Sequence, residues 1–190
     1  MIEGEVAIAS PGELRAYLQG ALKDGTYSRL HRTHRFCQRE RSWLETLVVA
    51  LGRLGHRGWI YREGSQRQVH VCETSADFLT SAYDARILIG TPEGIAYARG
   101  YFDAEGGMPR GDDARLYLQL SQKDAHDLSV LREILESAGI RCGRLHNPSV
   151  LIDPGYWRFY VRAAWHETFM RSVSSWHPRK RASMERRLAR

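Results

Sequence analysis

Cysteine is scarce in this chain: Cys37, Cys72 and Cys142 are far apart and odd in number. No C-x-x-C pair occurs, which argues against a disulfide framework or a structural zinc site and fits a reducing, cytoplasmic setting. Histidine offers no substitute. His166 and His177 are too far apart for a local zinc pair, and His31 and His34 lack cysteine or carboxylate partners at ligand spacing. Long apolar runs are missing too; none approaches the roughly 20 residues of a membrane span. Residues 1–10 carry Glu3 and Glu5 without a basic flank, so no signal peptide is expected there. Lysine is almost absent: Lys23, Lys123 and Lys180 stand among 28 basic residues. A GC-rich coding bias gives the same skew, so little is read from it. No low-complexity linker divides the chain.

What is present is an ordinary globular composition of 190 residues, 43% hydrophobic and 26% charged. That length suits one domain, or two small half-domains sharing a core. The formal net charge is +6. Arg29, Arg32, Arg35, Arg39 and Arg41 crowd one segment, and six more basic residues lie in 179–190. Clustered positive charge points to a polyanion partner, against the commoner reading of a solvated charged face.

An internal repeat organises the rest. Ser10-Pro11 and Thr91-Pro92 each mark a helix start, with the hydroxyl as cap and proline in the first helical position; Ser10 and Glu13 fit a capping box. From cap to acid, Ser10 to Asp24 and Thr91 to Glu105 both span 14 positions. Downstream, Gln38-Arg39-Glu40 precedes one apolar run and Gln122-Lys123-Asp124 another. The repeat unit is therefore about half the chain. Boundaries follow: an N-terminal half over 1–90, a C-terminal half over 91–178, and a basic tail over 179–190.

Patterning predicts helices over 11–23, 41–54, 75–89, 92–104, 123–138 and 164–174. It predicts a hairpin or two short strands over 26–38 and a hairpin over 57–73, turning at Glu63-Gly64-Ser65. Residues 115–121 and 157–163 alternate with period two, as half-buried antiparallel strands do. Each half then reads helix, two strands, helix, two strands, helix (αββαββα). The fold class is α+β, with two pseudo-symmetric halves forming antiparallel sheets.

Small residues at Ala16 and Gly20, and at Ala96, Gly100 and Ala104, recur at spacing four and allow two helix backbones to approach closely. Asp24 and Glu105 at the adjacent helix ends would then repel unless protonated or metal-bound. A hard cation such as Mg²⁺ (or Mn²⁺) resolves the repulsion with carboxylate, phosphate and water oxygens. Asp103, two residues before Glu105, faces elsewhere and reads as structural. Exposed strand faces and their ends supply candidates for contacting DNA: Arg29, Arg32, Arg35, Arg39, Arg62, Arg67, Gln68 and His70 in the first half, and Arg115, Tyr117, Gln119, Arg158, Tyr160 and Arg162 in the second. Different side chains at matched places predict an asymmetric site.

The segment from Ala98 to Gly106, with Gly100, Asp103, Glu105 and Gly106 in register, resembles the motif of the LAGLIDADG homing endonucleases. The copy from Tyr17 to Gly25 departs from it, with Gln19 at the first glycine and Leu22 at the first acid. The chain looks most like the single-chain, two-motif, intron-encoded archaeal type. The resemblance implies a DNA-binding saddle and a monomer that makes a metal-dependent staggered double-strand break in a long site. It implies that backbone carbonyls of Lys23 and Ala104 assist Asp24 and Glu105 in holding metal. It also places Gln38, Gln122 and Lys123 near the cleavage centre, with Lys123 ordering or deprotonating water. Arg39 stands where a second lysine is expected; arginine cannot serve as a base. Two alternatives share the scaffold: a non-cleaving DNA-binding protein, and a maturase that binds intron RNA.

Overall fold

The computed structural model describes residues 2–64 and 68–190. Arg67 and Ser65, read above as a DNA contact and a turn residue, lie outside them. Two helices run through the centre, α2 (Pro11–Ala21) and α4 (Pro92–Glu105), and each starts as the sequence predicts. The Ser10 hydroxyl accepts from the Glu13 amide and Glu13 returns the bond to the Ser10 amide, completing the box. Thr91 caps α4 through the Gly94 amide.

The glycines set the separation of these helices. A Cβ on Gly20 would collide with the carbonyl oxygen of Tyr97, and one on Gly100 with that of Tyr17. The collisions are reciprocal, as an approximate two-fold axis between the helices requires. Gly20 is four residues from Asp24, whereas Gly100 is five from Glu105. The chain absorbs the offset by tightening Leu22–Asp24 into a 3₁₀ turn. A 3₁₀ residue rises about 2.0 Å against about 1.5 Å in an α-helix, so four residues climb as far as five.

The first sheet is antiparallel, in order β1 (Gly25–Ser28), β2 (Thr33–Gln38), β4 (Val69–Thr74), β3 (Gly58–Glu63), and helix α3 (Arg41–Arg53) covers one face. Phe36 and Cys72, register partners, are buried on the covered face. The second sheet runs β5 (Gly106–Gly107), β6 (Gln119–Gln122), β7 (Trp157–Tyr160), with α5 (Ala125–Ser137) over Leu120 and Phe159. The α+β class with antiparallel sheets therefore holds.

Three expected elements differ. Residues 75–89 form no α-helix, only a 3₁₀ turn at Ala85–Leu88. Side chains there bind the amides a helix ladder needs: Thr74 takes Ala76, Thr80 takes Ala82 and Asp84 takes Arg86. Gln19, buried, grips Thr80 by both its amide and its carbonyl. The strand expected over 115–121 begins only at Gln119, because β5 is two residues long and offers the earlier residues no partner. The strand expected over 157–163 ends at Tyr160; Val161 continues as an isolated bridge to Cys142, and Ala163–Trp165 turns as 3₁₀ into α6 (His166–Ser172).

The expected basic tail is a packed helix, α7 (Pro178–Leu188), with Lys180, Ser183 and Met184 buried. Its arginines are largely engaged by protein. Arg181 pairs with Glu5 at 2.5 Å, Arg179 with Glu40 at 3.1 Å and Arg186 with Asp112 at 2.5 Å. Glu5 belongs to α1 (Ile2–Ile8), a helix the pattern does not announce. Among the described residues no helix is long and apolar enough to cross a membrane.

Candidate nuclease site at the helix seam

Asp24 ends the 3₁₀ turn after α2 and Glu105 ends α4. Each carboxylate meets a glutamine from the strand end of its own half. Gln38 donates to Asp24 Oδ2 at 2.9 Å, and Gln122 donates to Glu105 Oε1 at 3.3 Å. The same Gln122 amide also reaches the carbonyl of Lys23 in the other half, at 3.2 Å. Asp24, Gln38, Glu105, Gln122 and the Lys23 carbonyl thus come together at one seam.

Electrostatics mark this pair. Burial pushes the Asp24 carboxyl up to about 6, although Gln38 favours its ionised form. Burial, and next the charge of Asp24, push Glu105 up to about 7. Two carboxylates that resist joint ionisation invite a cation. Among the described residues no group of three or more His, Cys, Asp or Glu side chains could hold a metal alone. The donors present are carboxylate and carbonyl oxygens, which suit a hard divalent ion whose remaining ligands are water and phosphate.

Asp103 is fully buried and structural. It accepts from Tyr17 Oη at 2.8 Å, from the Trp176 amide at 2.8 Å, and from the Ser175 hydroxyl. Trp43 Nε1 in turn donates to Tyr17 Oη at 2.9 Å. Lys123 is exposed at the rim of a cleft that Lys23, Gln122 and Asp127 also line. The Lys23 ammonium is held by Asp127 at 2.5 Å. Ala104 is half-buried and Arg39 exposed.

Lys180 is the member of this region that the pattern misses. Its ammonium donates to the carbonyls of Phe102 at 2.5 Å, Asp103 at 3.0 Å and Gly106 at 2.7 Å, using all three protons. Burial lowers its pKa to about 8, opposed by Asp103, Glu105 and Asp24. Its one signal in the sequence is that it is the sole lysine in a run of arginines.

The candidate DNA contacts divide between sheet faces. In the first half, strand register puts Thr33, Arg35, Tyr61, Glu63 and Glu73 on the open face, and Arg62 and His70 on the face that α3 covers. Arg35 pairs with Glu63 at 2.5 Å; Glu73 accepts from Tyr61 Oη at 2.8 Å and from the Thr33 hydroxyl. Arg62 and His70 therefore do not share a reading surface with Arg35, because they sit at the other parity of the pleat. Arg29 and Arg32 are exposed in the β1–β2 turn, and Gln68 is exposed ahead of β4.

The second half does gather its candidates. Gln119 pairs in register with Tyr160, and Ser121 with Arg158, on the face opposite Leu120 and Phe159. Arg158 lies over the Tyr160 ring at 5.4 Å, Tyr117 meets that ring edge-on at 6.3 Å, and Gln119 donates to Tyr156 Oη at 3.1 Å. Arg162 donates to the Cys142 carbonyl at 3.1 Å, and Arg115 is exposed.

No family model matches the sequence, and neither does any curated protein. Solved structures do match. I-DmoI in complex with DNA and Mn superposes with a TM-score of 0.63 at 15% identity, over 87% of this chain and 98% of that one. Full-length DUF199/WhiA from Thermatoga maritima superposes at 0.67 and 17%, over 99% of this chain and 64% of that one. The N-terminal LAGLIDADG domain of DUF199/WhiA gives 0.66 and 16%, over 90% and 87%. At such identities the likeness bears on architecture alone: this chain has the fold of the LAGLIDADG homing endonucleases.

Proposed function

We propose that the protein is a single-chain, site-specific DNA endonuclease whose cut depends on Mg²⁺ or Mn²⁺. The observation that supports this most is the seam: two carboxylates held near neutral pKa on paired helix ends, each addressed by a glutamine from its own half. A bound divalent ion would supply activated water and offset charge on the scissile phosphate. The chain's own residues do the placing. Gln38 and Gln122 orient the two carboxylates, and the approach of Gly20 to the Tyr97 carbonyl and of Gly100 to that of Tyr17 fixes how far apart their helices lie. Lys123, exposed next to Gln122, would meet phosphate or water. I-DmoI is known in complexes with DNA and Mn, Mg or Ca, which agrees with this chemistry. The two halves act as one chain on duplex DNA, and the second half supplies the better reading face.

A second reading, a DNA-binding protein that does not cut, is favoured by one feature. The same face of the first sheet carries Glu63, which neutralises Arg35, and Glu73, which Tyr61 and Thr33 hold, and both carboxylates oppose phosphate. The fold is also shared with WhiA, so it does not by itself carry cleavage.

The deciding experiment uses a plasmid bearing the two sequences that flank the reading frame, rejoined without it. Linearisation that requires Mg²⁺ or Mn²⁺, and is lost in Asp24→Asn and Glu105→Gln while binding persists, supports the first reading. Binding without cutting in either ion supports the second. Tighter binding to the intervening RNA than to this DNA would overturn both in favour of a maturase.

A further inference from the structure

The end of α4 is the place where the chain most needs a cation. A helix terminates with carbonyls that have no intrahelical donor and with the negative end of its dipole. Here the same turn also carries Glu105, stands beside Asp24 and follows Asp103. A helix C-terminus, with Asp103 buried on one side of it and the Asp24–Glu105 pair on the other, therefore surrounds one ammonium. At the equivalent turn of the first half Lys23 faces away to Asp127.

We propose that Lys180 is a positioning residue of the seam, a built-in cation that locks the Asp103–Gly106 turn and offsets the charge of the Asp24–Glu105 pair. Two independent features carry this. The geometry is one: the ammonium is 4% exposed and spends every proton on carbonyls of the turn that holds Glu105, so that turn cannot shift without breaking them. The charge inventory is the other: the ammonium acts on Asp103, Glu105 and Asp24 together. Lys180 itself touches no carboxylate oxygen of the pair. It acts through the backbone and through its field, and it comes from α7, 74 residues beyond the end of the turn it secures. The proposal rests on reading Asp24 and Glu105 as the metal-holding pair.

A double-mutant cycle of Lys180→Met with Glu105→Gln, followed by thermal melting in EDTA at pH 7.5, tests the charge. If Lys180 only capped carbonyls, its loss would cost the same with or without the Glu105 charge. The expected result is that the fall in Tm caused by Lys180→Met is at most half as large in the Glu105→Gln background. Equal falls overturn the proposal. Met184→Ala, which removes a buried apolar side chain of the same helix and no hydrogen bond to the turn, should show equal falls in both backgrounds. Should Lys180→Met not fold, Lys180→Gln, which keeps an amide donor, enters the cycle in its place.

Mn²⁺ binding followed by electron paramagnetic resonance tests the positioning. Residues that orient metal ligands without touching the ion are worth about 10–100-fold in affinity. Lys180→Met should lose on that order of affinity, with DNA binding in EDTA within twofold of wild type. Unchanged Mn²⁺ affinity overturns the positioning role. If wild type itself takes up no Mn²⁺, the metal reading of the seam fails, and the melting cycle alone decides for or against Lys180.

Discussion

Gly100 lies directly against the backbone carbonyl of Tyr17, with no room for a methyl group between them. The partner contact, Gly20 against Tyr97, repeats the relationship across the seam. Gly100→Ala must therefore spread two helix backbones that are packed throughout the core. Overpacking a well-filled core costs about 1–3 kcal/mol when side chains can yield, and here the obstructing atom is main chain. Chemical denaturation should show Gly100→Ala at or beyond the upper end of that range. Gly52, with open space around it, should tolerate alanine and serve as the control.

The seam acids make stability depend on pH in a direction opposite to the usual carboxylate. Burial raises Asp24 to about 6 and Glu105 to about 7, above their unfolded values, so the folded state holds more protons across that interval. Stability without divalent ions should therefore be greatest below the unfolded pKa values and fall as pH climbs through the folded ones. Melting in EDTA from pH 5 to 8 should show this decline, and Glu105→Gln should flatten it. An unaltered slope in Glu105→Gln would show that the decline originates elsewhere. Cleavage should move the other way, rising between about pH 6 and 7 as the pair ionises.

The two sheets should contribute unequally to DNA binding. Arg158 stands on a face with Gln119 and Tyr160, whereas Arg35 is neutralised by Glu63. Arg158→Ala should cost about 1–3 kcal/mol if it contacts a base edge, or lower the salt slope by about one if it contacts phosphate. Arg35→Ala should change affinity little. Fluorescence anisotropy across a salt series on the duplex from the flanking sequences separates these outcomes; equal losses for both arginines would mean the Arg35–Glu63 pair opens on binding.

The repeat was legible because it was written in local chemistry. Caps, prolines, small-residue spacing and terminal acids are each set by a few neighbouring residues, so Asp24 and Glu105 are legible in the sequence, while Gln38 and Gln122 follow only from the family resemblance. What stayed hidden depends on distant partners. Residues 75–89 have helix-like composition but surrender their amides to Thr74, Thr80 and Asp84, and Gln19 holds them from another helix. The pleat parity that separates Arg62 and His70 from Arg35 needs the strand register, which charge counting cannot supply. Lys180 reads in the sequence as one more charge of a basic tail because the carbonyls it serves lie far upstream.

Helix α7 closes over the turn that ends α4. During synthesis, then, both acids leave the ribosome before the lysine that faces them. A chain interrupted upstream of Pro178 would present both acids on an unlocked turn, so premature stop codons and frameshifts should silence the site even when both motifs have been translated intact.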